Sequence, residues 1–532
     1  MFATDFLSPK ICVGEVERDG FQPLIGLLYQ RHGTYEAVAR RMHLDRRTVK
    51  KYITSFCNHK QVRQACHIKT LMTNPKKSDI KLVLIGGGSY GWTYRFITDI
   101  ACLPELHGMH IVLQDLNPEA LKLVKALCDK ISDAMQAGLR IETSTDLAAC
   151  LPGADFVGLT ISTGGDDANV LDMAIPAKYG IIQTVADTVG PGGWSRALRN
   201  IPVVVDIIRK VEQYAPNAWF MNYSNPMTVL TRSLQKVSPV KSVGLCHELQ
   251  GLLLHIAAFL GLADWEKDTK VKMAGINHLI WILAMDIGGR DGFDLLKEYH
   301  RKHPAFDYVV EGKVPEDLIY SGGVNSRQHI KLDFLEKIGY LSAAGDAHTA
   351  EFFRHFLASP QTADRWGVGG HFHTFAHQRG VEGRKKKVQR LLNGEEALWL
   401  KPSHEHASRI ITALTGGQEL LTPVNTANLG QIDNLPREVV VESQAYVDQL
   451  GIHPIAVGSL PQILIQYLMR HIPVQEMIVE AGLTGNRDLA VQALSCDPLV
   501  PDQDIAARMA DEFFREFKEL LPQFYGKWKL DV

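Results

Sequence analysis

Short, mostly apolar runs of three to six residues alternate with longer segments of helical period between residues 80 and 280. These runs lack the spacing of an amphipathic helix, and each can form one buried parallel strand. Strands that alternate with helices predict a doubly wound, parallel α/β sheet of the Rossmann type. The predicted strands are Leu82–Ile85, His110–Gln114, Arg140–Glu142, Phe156–Ile161, Ala218–Met221, Ser242–Leu245 and Val271–Ile276.

A glycine-rich turn follows the first predicted strand. Its spacing is Gly86-x-Gly88-x-x-Gly91, and Ser89 and Tyr90 begin a segment predicted to be helical. In such a turn the glycines let the backbone approach a pyrophosphate, and the free N–H groups and helix dipole favour negative charge. In this strand–turn–helix context, the pattern predicts a dinucleotide site.

Asp115 directly follows the second predicted strand. A carboxylate there can accept hydrogen bonds from both adenosine ribose hydroxyls and would repel a 2′-phosphate, so the predicted cofactor is NAD rather than NADP. The separation from the glycines is somewhat longer than the usual value of about 20 residues. The alternative interpretation is a βα turn with an ordinary surface aspartate.

Polar side chains follow the later strands. Asn222 and Asn225 follow one strand, Cys246 and His247 follow the next, and His278 follows the one after. Ligands bind at the carboxyl ends of strands in open sheets, so these groups are predicted to share one rim. Cys246 and His278 could supply a thiolate and an imidazole to one divalent metal. The alternatives are a small buried cysteine, a satisfied histidine and an asparagine that caps a helix.

The second half of the chain mixes strands and helices, which predicts an α+β substrate domain that closes over the cofactor rim. The predicted elements include helices at Ser403–Gly416 and Asp504–Leu521 and strands at Val424–Thr426 and Glu438–Glu442. Three domains are predicted: a small all-α unit with its linker at 1–75, the NAD-binding domain at 76–278 and the substrate and oligomerisation domain at 279–532.

Residues 24–53 have the period of three short helices and look like the helix-turn-helix of bacterial regulators. Their basic residues would lie on the recognition helix, positioned for DNA phosphates or bases. The favoured interpretation is a solvated basic helix, because a basic cluster alone is weak evidence for DNA binding. The basic residues are Arg46, Arg47, Lys50 and Lys51.

Composition argues against several classes of protein. The 532 residues are 45% hydrophobic and 22% charged, and the net charge of −2 gives no global attraction to nucleic acid or membrane. No apolar run reaches the ~18 residues of a membrane span, and the N-terminus does not look secretory. Eight scattered cysteines without a CxxC pair predict reduced thiols in a cytoplasmic protein.

Six segments, in order, resemble the motifs of glycoside hydrolase family 4: IGGGSYGWTY, QTVADTVGPGGWSRALRNIP, NYSNPMTVLTR, GLCHELQG, AGINHLIW and VNTANLGQIDNLP. The resemblance covers about residues 80–525. Cys-His-Glu in place of Cys-Asp looks like the branch that acts on unphosphorylated α-glycosides and α-galacturonides. The resemblance implies a lactate/malate-dehydrogenase-like fold, NAD⁺, Mn²⁺, a small carbohydrate substrate and a homodimer or homotetramer.

The resemblance implies hydrolysis without the usual two-carboxylate displacement. NAD⁺ takes a hydride from sugar carbon 3, which makes the carbon 2 proton acidic. A base removes that proton, the glycosidic oxygen leaves carbon 1, water adds, and the hydride returns. A metal at this site would polarise the carbon 3 carbonyl. The nicotinamide is therefore unchanged over the whole reaction.

The resemblance also implies roles for single residues. Metal ligation falls to Cys246 and His278, substrate binding to Arg95 and Asn225, and a place near the nicotinamide ribose to Asn222. His247 occupies the position of the general acid, and histidine can donate a proton near neutral pH.

The catalytic base is predicted to be Tyr340, with His348 as the second choice. A free tyrosine has a pKa near ~10, so a metal or another cation would have to assist Tyr340. The alternative for Tyr340 is an aromatic side chain that packs on the core.

Two other functions stay open from the sequence. One is a 2-hydroxy-acid dehydrogenase on the same fold, which would need no metal, so the Cys246 and His278 pair argues against it. The other is a non-catalytic regulator that couples the N-terminal unit to a sugar and NAD sensor. Retained metal ligands argue against it, because an inactive site has no physical need for them.

Overall fold

The computed structural model describes residues 80–262, 265–302, 328–369, 380–403 and 405–530. The chain divides into two units, residues 1–74 and 75–532, and the described residues all belong to the second. The helix-turn-helix-like segment at 24–53 lies outside the described residues, and so do the DNA contacts predicted for it.

The described residues contain one mixed sheet. Its strands are β1 (Lys81–Ile85), β2 (His110–Gln114), β3 (Arg140–Ser144), β4 (Phe156–Leu159), β5 (Trp219–Asn222), β6 (Ser242–Gly244), β7 (Thr269–Ile276), β8 (Leu279–Ile287), β9 (Arg290–Asp291), β10 (Leu341–Ser342), β11 (Leu420–Ala427), β12 (Val440–Asp448) and β13 (Gly451–Pro454).

Helices connect and cover these strands. Within the described ranges they are α1 (Thr93–Ala101), α2 (Pro118–Ala134), α3 (Leu147–Cys150), α4 (Gly165–Ala177), α5 (Gly190–Tyr214), α6 (Met227–Val237), α7 (Glu248–Leu260), α8 (Trp265–Asp268), α9 (Gly292–Lys302), α10 (His329–Ile338), α11 (Asp346–Glu351), α12 (Pro360–Arg365), α13 (Val381–Asn393), α14 (Ala407–Leu414), α15 (Gln462–Leu468), α16 (Ile472–Thr484), α17 (Arg487–Ser495) and α18 (Gln503–Glu516).

The first half of the sheet is parallel. Its strand order is β3-β2-β1-β4-β5-β6, the order of the dinucleotide-binding fold. Along β1, Val83 and Ile85 contribute to one hydrophobic cluster, whereas Leu82 and Leu84 contribute to another. Since successive strand residues face opposite sides, both faces of the sheet are covered. The predicted doubly wound parallel sheet is confirmed.

The second half of the chain continues the same sheet in antiparallel fashion. Strand β11 pairs with β6, and β12, β7, β8 and β10 follow in that order. The predicted domain boundary at residue 278 falls at the tip of the β7–β8 hairpin, whose strands pair from Thr269 with Ile287 to Ile276 with Leu279, with one irregularity between Lys272 and Met273. Hydrogen bonding between strands therefore crosses the predicted boundary without a break.

Several predicted helix ends can be compared with the structure. Asn117 caps α2 by accepting hydrogen bonds from the backbone N–H groups of Glu119 and Ala120, both at 3.1 Å, as its sequence position predicts. The helix predicted from Ser403 begins instead at Ala407. The Ser403 hydroxyl donates a hydrogen bond to Asp99 at 2.5 Å, which ties it to α1.

The last long helix ends at Glu516 and continues as two short 3₁₀ segments, so it is shorter than predicted. Among the helices in the described ranges, none combines the length and the apolar character that a membrane crossing needs.

Candidate active site

The glycine turn after β1 is a close-packed cradle. Gly86 has a φ of 85°, and a Cβ atom there would lie 2.0 Å from the carbonyl oxygen of Thr160. A Cβ at Gly88 would lie 2.8 Å from the Asp115 carboxylate. Gly86 has to be glycine, and a side chain at Gly88 would displace the Asp115 carboxylate, so the backbone of the turn stays accessible, as a pyrophosphate site requires.

Asp115 lies beside this turn, as the sequence predicts. One carboxylate oxygen accepts a hydrogen bond from the Gly88 N–H at 3.0 Å, and the other accepts one from the Asn117 N–H at 3.0 Å. The carboxylate is thus fixed between the glycine turn and the start of α2. Its position fits the recognition of a ribose next to a bound pyrophosphate.

Ser89 and Tyr90 lie in a turn, and α1 begins only at Thr93. The Ser89 hydroxyl accepts a hydrogen bond from the Trp92 N–H at 3.3 Å, which satisfies one donor near the helix start. Burial and the nearby Asp115 raise the pKa of Tyr90, so its hydroxyl stays protonated and can donate a hydrogen bond.

A cavity of about 280 Å³ opens at the carboxyl ends of the parallel strands. It brings together predicted site residues from four separate parts of the chain, and several unpredicted carboxylates join them. The predicted residues in its lining are Asn225, Cys246, His247, His278 and His348, and the unpredicted carboxylates are Asp187, Glu248 and Glu405.

Asp187, His278 and His348 form a compact group of metal-ligand type. One ligand atom from each lies within 4.8 Å of the other two. His278 occupies the tip of the β7–β8 hairpin with a φ of 64°, in the left-handed region that non-glycine residues rarely adopt. Such strain is typical of functional sites, where the surrounding structure holds a side chain in place.

Hydrogen bonds fix the tautomer of His278. The Thr188 hydroxyl donates to Asp187 at 2.6 Å and lies 2.7 Å from Nδ1 of His278. Because the hydroxyl has one proton and gives it to the carboxylate, Nδ1 must carry the hydrogen of the imidazole. Nε2 of His278 then keeps its lone pair.

Electrostatics keep this group in its metal-binding state. Burial and the neighbouring His348 lower the pKa of His278 to about 3, so its ring is neutral. Burial alone would raise the pKa of Asp187, but His348 and His278 outweigh it and lower the pKa to about 2. Nδ1 of His348 is buried without a hydrogen-bond partner in the described chain. A buried nitrogen without a partner beside a carboxylate fits a cation ligand.

Cys246 lines the same cavity, although its sulfur is not part of the compact group formed by the other three residues. Burial, with Glu442 and Glu248 nearby, raises the pKa of its thiol well above the usual value. A cysteine binds a metal ion as its thiolate. A cation that binds Cys246 therefore has to displace the proton of the thiol.

His247 lies against a buried carboxylate that the sequence did not reveal. Its Nδ1 is 3.2 Å from Oε1 of Glu405, and the Trp92 indole N–H donates to the same oxygen at 3.3 Å. Burial would raise the pKa of Glu405, but His247 and Trp92 lower it, so the group is ionised. The carboxylate can therefore orient the imidazole.

Asn225 is placed as a polar group of the cavity. Its amide donates to Asp187 at 2.9 Å, and its side-chain oxygen is buried without a partner in the described chain.

The side chain of Asn222 makes hydrogen bonds within its own turn. Its side chain accepts from the Ser224 N–H at 2.9 Å and donates to Thr231 at 3.2 Å, so the amide shapes its own turn. This geometry does not support the predicted contact of Asn222 with a nicotinamide ribose.

Two further predicted residues lie away from this cavity. Tyr340 is half-buried and packs against the larger hydrophobic cluster, and it is not part of the cavity lining in the described chain. Its packing matches the alternative interpretation of a core aromatic, whereas the second choice, His348, does line the cavity. Arg95 lines an adjoining second cavity of about 360 Å³.

Three carboxylates of the site were not predicted: Asp187, Glu248 and Glu405. Asp187 lies in the loop before α5, three residues ahead of Gly190, which is the first residue of that helix, and no site role was predicted for it. Glu248 accepts a hydrogen bond from the Gly345 N–H at 2.6 Å. Glu405 is 158 residues away from His247 in the sequence (405 − 247), so no local pattern connects them.

These features define a dinucleotide-type α/β fold with a metal-ligand group at the carboxyl ends of its strands. Models of two families match the chain: family 4 glycosyl hydrolase over residues 81–262 and the family 4 glycosyl hydrolase C-terminal domain over residues 273–500. The chain belongs to family 4 of the glycosyl hydrolases.

Relatives of known name align with this chain over most of their length. An α-galacturonidase of Lachnoclostridium phytofermentans is 34% identical over 475 residues, which cover 86% of this chain and 99% of the relative. An α-galacturonidase of Bacillus subtilis is 34% identical over 468 residues, with the same coverage. An α-galactosidase of Rhizobium meliloti is 32% identical and is covered over 90% of its length.

Solved structures agree on the fold. A Bacillus subtilis protein described as a glucosidase, lplD, is 33% identical, with a TM-score of 0.72 over 82% of this chain and 99% of that one. A 6-phospho-α-glucosidase from gut microorganisms, solved with NAD and Mn²⁺, has a TM-score of 0.69 at 20% identity over 84% of this chain and 99% of that one. The second similarity supports the fold alone.

Proposed function

We propose that this chain is an NAD- and Mn²⁺-dependent glycosidase that cleaves α-galacturonides. The observation that carries the proposal is the Asp187, His278 and His348 group, which shares a cavity with Cys246. A plain dehydrogenase would have no use for such a group. The named α-galacturonidase relatives, which match over nearly their whole length, support the choice of sugar.

The chain offers residues that fit both cofactors. The bare turn at Gly86 and Gly88 and the fixed Asp115 would hold NAD, and His278, Asp187 and Cys246 would hold the cation. When bound, NAD accepts and returns the hydride of sugar carbon 3, and Mn²⁺ polarises the oxygen on that carbon.

His247 is the proposed acid for the glycosidic oxygen. It lines the cavity, and the ionised Glu405 lies 3.2 Å from its Nδ1 and orients the ring. A donor of this kind contributes about 10²- to 10⁴-fold to the rate. Asn225, which is fixed by Asp187, is the proposed partner of a sugar hydroxyl.

His348 has two proposed roles that exclude each other. It could ligate the cation, because its unpartnered Nδ1 lies 3.6 Å from Asp187. It could instead remove the carbon 2 proton, because it lines the cavity and its Nε2 lies 3.9 Å from the carboxylate of Glu248. The Tyr340 assignment stays a prediction, with less support because the ring packs on the core.

A substrate panel tests the function. Purified full-length chain is assayed under reducing conditions on p-nitrophenyl α-galacturonide, α-galactoside and α-glucoside, with and without Mn²⁺ and NAD⁺. We expect release of p-nitrophenol from the galacturonide only when both cofactors are present, without net NADH. Net NADH accumulation would support a dehydrogenase instead. Absence of turnover on every glycoside would overturn the proposal.

The assembly and location of the protein are also proposed. Following its family resemblance, the chain is proposed to form a homodimer or homotetramer, which light scattering after size exclusion tests directly.

A cytoplasmic location is supported by Cys246, whose chemistry as a ligand requires a reduced thiol. Residues 24–53 are proposed not to bind DNA, and a filter-binding assay with random duplexes tests this.

A further inference from the structure

The loop that brings Asp187 to the cavity is held from behind by one buried carboxylate. A single oxygen of Glu351 accepts hydrogen bonds from three consecutive backbone N–H groups, at 2.7, 2.7 and 2.8 Å. The donors are Thr184, Val185 and Ala186. Successive N–H groups that point to one spot form an anion-binding concavity. A carboxylate from a distant part of the chain, only 1% exposed, fills this one.

The same carboxylate belongs to the helix that carries His348. Glu351 is the last residue of α11, and His348 lies three residues before it on that helix. A second hydrogen bond joins the same two segments, because the Thr184 hydroxyl donates to the carbonyl oxygen of Ala347. The loop of Asp187 and the helix of His348 are therefore bonded to each other directly behind the metal-ligand group.

The conformation of the loop depends on such an anchor. Ala186 has a φ of 60°, in the left-handed region, and a strained residue of this kind persists only where its surroundings hold it. On one side, α5 packs so closely that a Cβ atom at Gly192 would lie 2.5 Å from the Cβ of Ala186. On the other side, Glu351 holds the Ala186 N–H. Because Asp187 directly follows Ala186, this anchor sets the direction in which its carboxylate enters the cavity.

Glu351 acts from outside the cavity. In the described chain Asp187 and His348 line the cavity and Glu351 does not, so any effect of Glu351 on a bound cation passes through those two residues. Nδ1 of His348 lies 3.6 Å from the Asp187 carboxylate. Ligand distances in metal sites are kept within about 0.2 Å, so a small shift of the loop against the helix is enough to weaken cation binding.

We propose that Glu351 is a positioning residue of the cation site, which places Asp187 relative to His348 through its one bonded oxygen. This inference rests on the proposed function, because it takes Asp187 as a ligand of the cation. It holds for both roles of His348, since Asp187 is a ligand in each. The second oxygen of Glu351 is buried without a partner in the described chain. The acceptor oxygen, rather than the charge, is therefore the part that positions the loop.

Two substitutions at residue 351 separate the oxygen from the charge. Glu351→Leu removes the acceptor, whereas Glu351→Gln keeps a carbonyl oxygen for the three N–H groups. Calorimetry of Mn²⁺ binding to the NAD-loaded full chain should show about 10- to 100-fold weaker binding for Glu351→Leu. Glu351→Gln should stay within about 3-fold of the wild type. The electron paramagnetic resonance spectrum of bound Mn²⁺ should change in Glu351→Leu and keep its wild-type form in Glu351→Gln.

A stability control identifies a merely structural effect. Leu494→Ala removes a fully buried side chain from α17, outside the cavity lining in the described chain. It should lower the unfolding midpoint and leave both the Mn²⁺ affinity and the spectrum as in the wild type. The affinity for NAD, measured without Mn²⁺, should be the same in all these variants.

Thr184→Val gives a second test that does not change residue 351. It removes only the hydroxyl bond to Ala347, and it should weaken Mn²⁺ binding by about 2- to 10-fold. Wild-type Mn²⁺ affinity in Glu351→Leu or in Thr184→Val, or equal losses in the leucine and glutamine variants, would overturn the inference. A wild type that binds Mn²⁺ but cleaves no glycoside would overturn the proposed function alone, because the Mn²⁺ measurements still decide the inference.

Discussion

The rings of His278 and His348 lie with their centroids 3.9 Å apart and their planes inclined by 32°. At this distance two imidazolium cations would repel strongly, and the pKa of His278 is accordingly lowered to about 3 by burial and by His348. The pair is therefore suited to hold a cation rather than two protons. Asp187 supplies the negative charge for that cation.

Removal of His348 should separate its two proposed roles. If His348 ligates the metal, His348→Ala should weaken Mn²⁺ binding by about 10- to 100-fold, which calorimetry measures on the NAD-loaded protein. If it is the base, the variant should bind Mn²⁺ normally and lose turnover. His453→Ala, which removes an exposed histidine on β13, is the control and should change neither value.

Tyr340→Phe should leave turnover close to that of the wild type, because Tyr340 packs on the core and does not line the cavity in the described chain.

His348→Gln should reduce exchange of the carbon 2 proton with deuterated water by about 10²- to 10⁴-fold if His348 is the base. Mass spectrometry of the released sugar measures this exchange. A large loss in Tyr340→Phe alone would restore the tyrosine as the base.

Glu405→Gln should reduce turnover most for substrates with poor leaving groups. The ionised carboxylate orients His247 at 3.2 Å, and proton donation matters more when the leaving alcohol is weakly acidic. The kcat ratio between p-nitrophenyl and methyl α-galacturonide should therefore increase in the variant. Glu266→Gln, at an exposed ion pair with Arg409, is the control. An unchanged ratio would show that Glu405 is only structural.

The stability of the protein should decrease below neutral pH. Burial lowers the pKa of His471 from 6.5 to about 4, while its Nε2 lies 3.1 Å from the carbonyl oxygen of Phe352. Between these two pH values the unfolded chain binds a proton that the folded chain excludes, so stability falls as pH decreases from 6.5 toward 4. The loss from this residue at pH 5 is about 2 kcal/mol.

His471→Gln should therefore flatten the dependence of the unfolding midpoint on pH between 7 and 5, as differential scanning fluorimetry would record. His453→Gln, which changes an exposed histidine, should leave the slope as it is in the wild type. Equal slopes in all three proteins would contradict the role assigned to the buried ring.

The sequence predicted those elements of the fold that depend on interactions between residues close together in the chain. The strands β1 and β2 and the cap at Asn117 lie within a residue of their predicted places, because apolar runs and cap residues act on their own neighbours. The convergence of Cys246 and His278 on one cavity followed from the rule that strand ends share a rim.

Long-range pairings could not be predicted in the same way. Glu405 reaches His247 from a distant loop, and β11 and β12 enter the sheet between β6 and β7 from more than 140 residues downstream (420 − 276 = 144). The preference for Tyr340 over His348 also depended on which of two nearby side chains faces the cavity. Spacing alone does not determine that orientation, because one residue precedes β10 and the other lies on α11.

The late strands have a consequence for how the protein is made. Glu442 on β12 accepts hydrogen bonds from Asn277 at 3.1 Å and from Asn425 at 3.0 Å, so it ties the hairpin of His278 to β11, which in turn pairs with the strand before Cys246. During synthesis, the cavity at the carboxyl ends of the strands cannot take its final form until the ribosome has passed residue 448, where β12 ends. A shortened product that ends before β11 would carry nearly all the reactive groups and still lack the frame that aligns them.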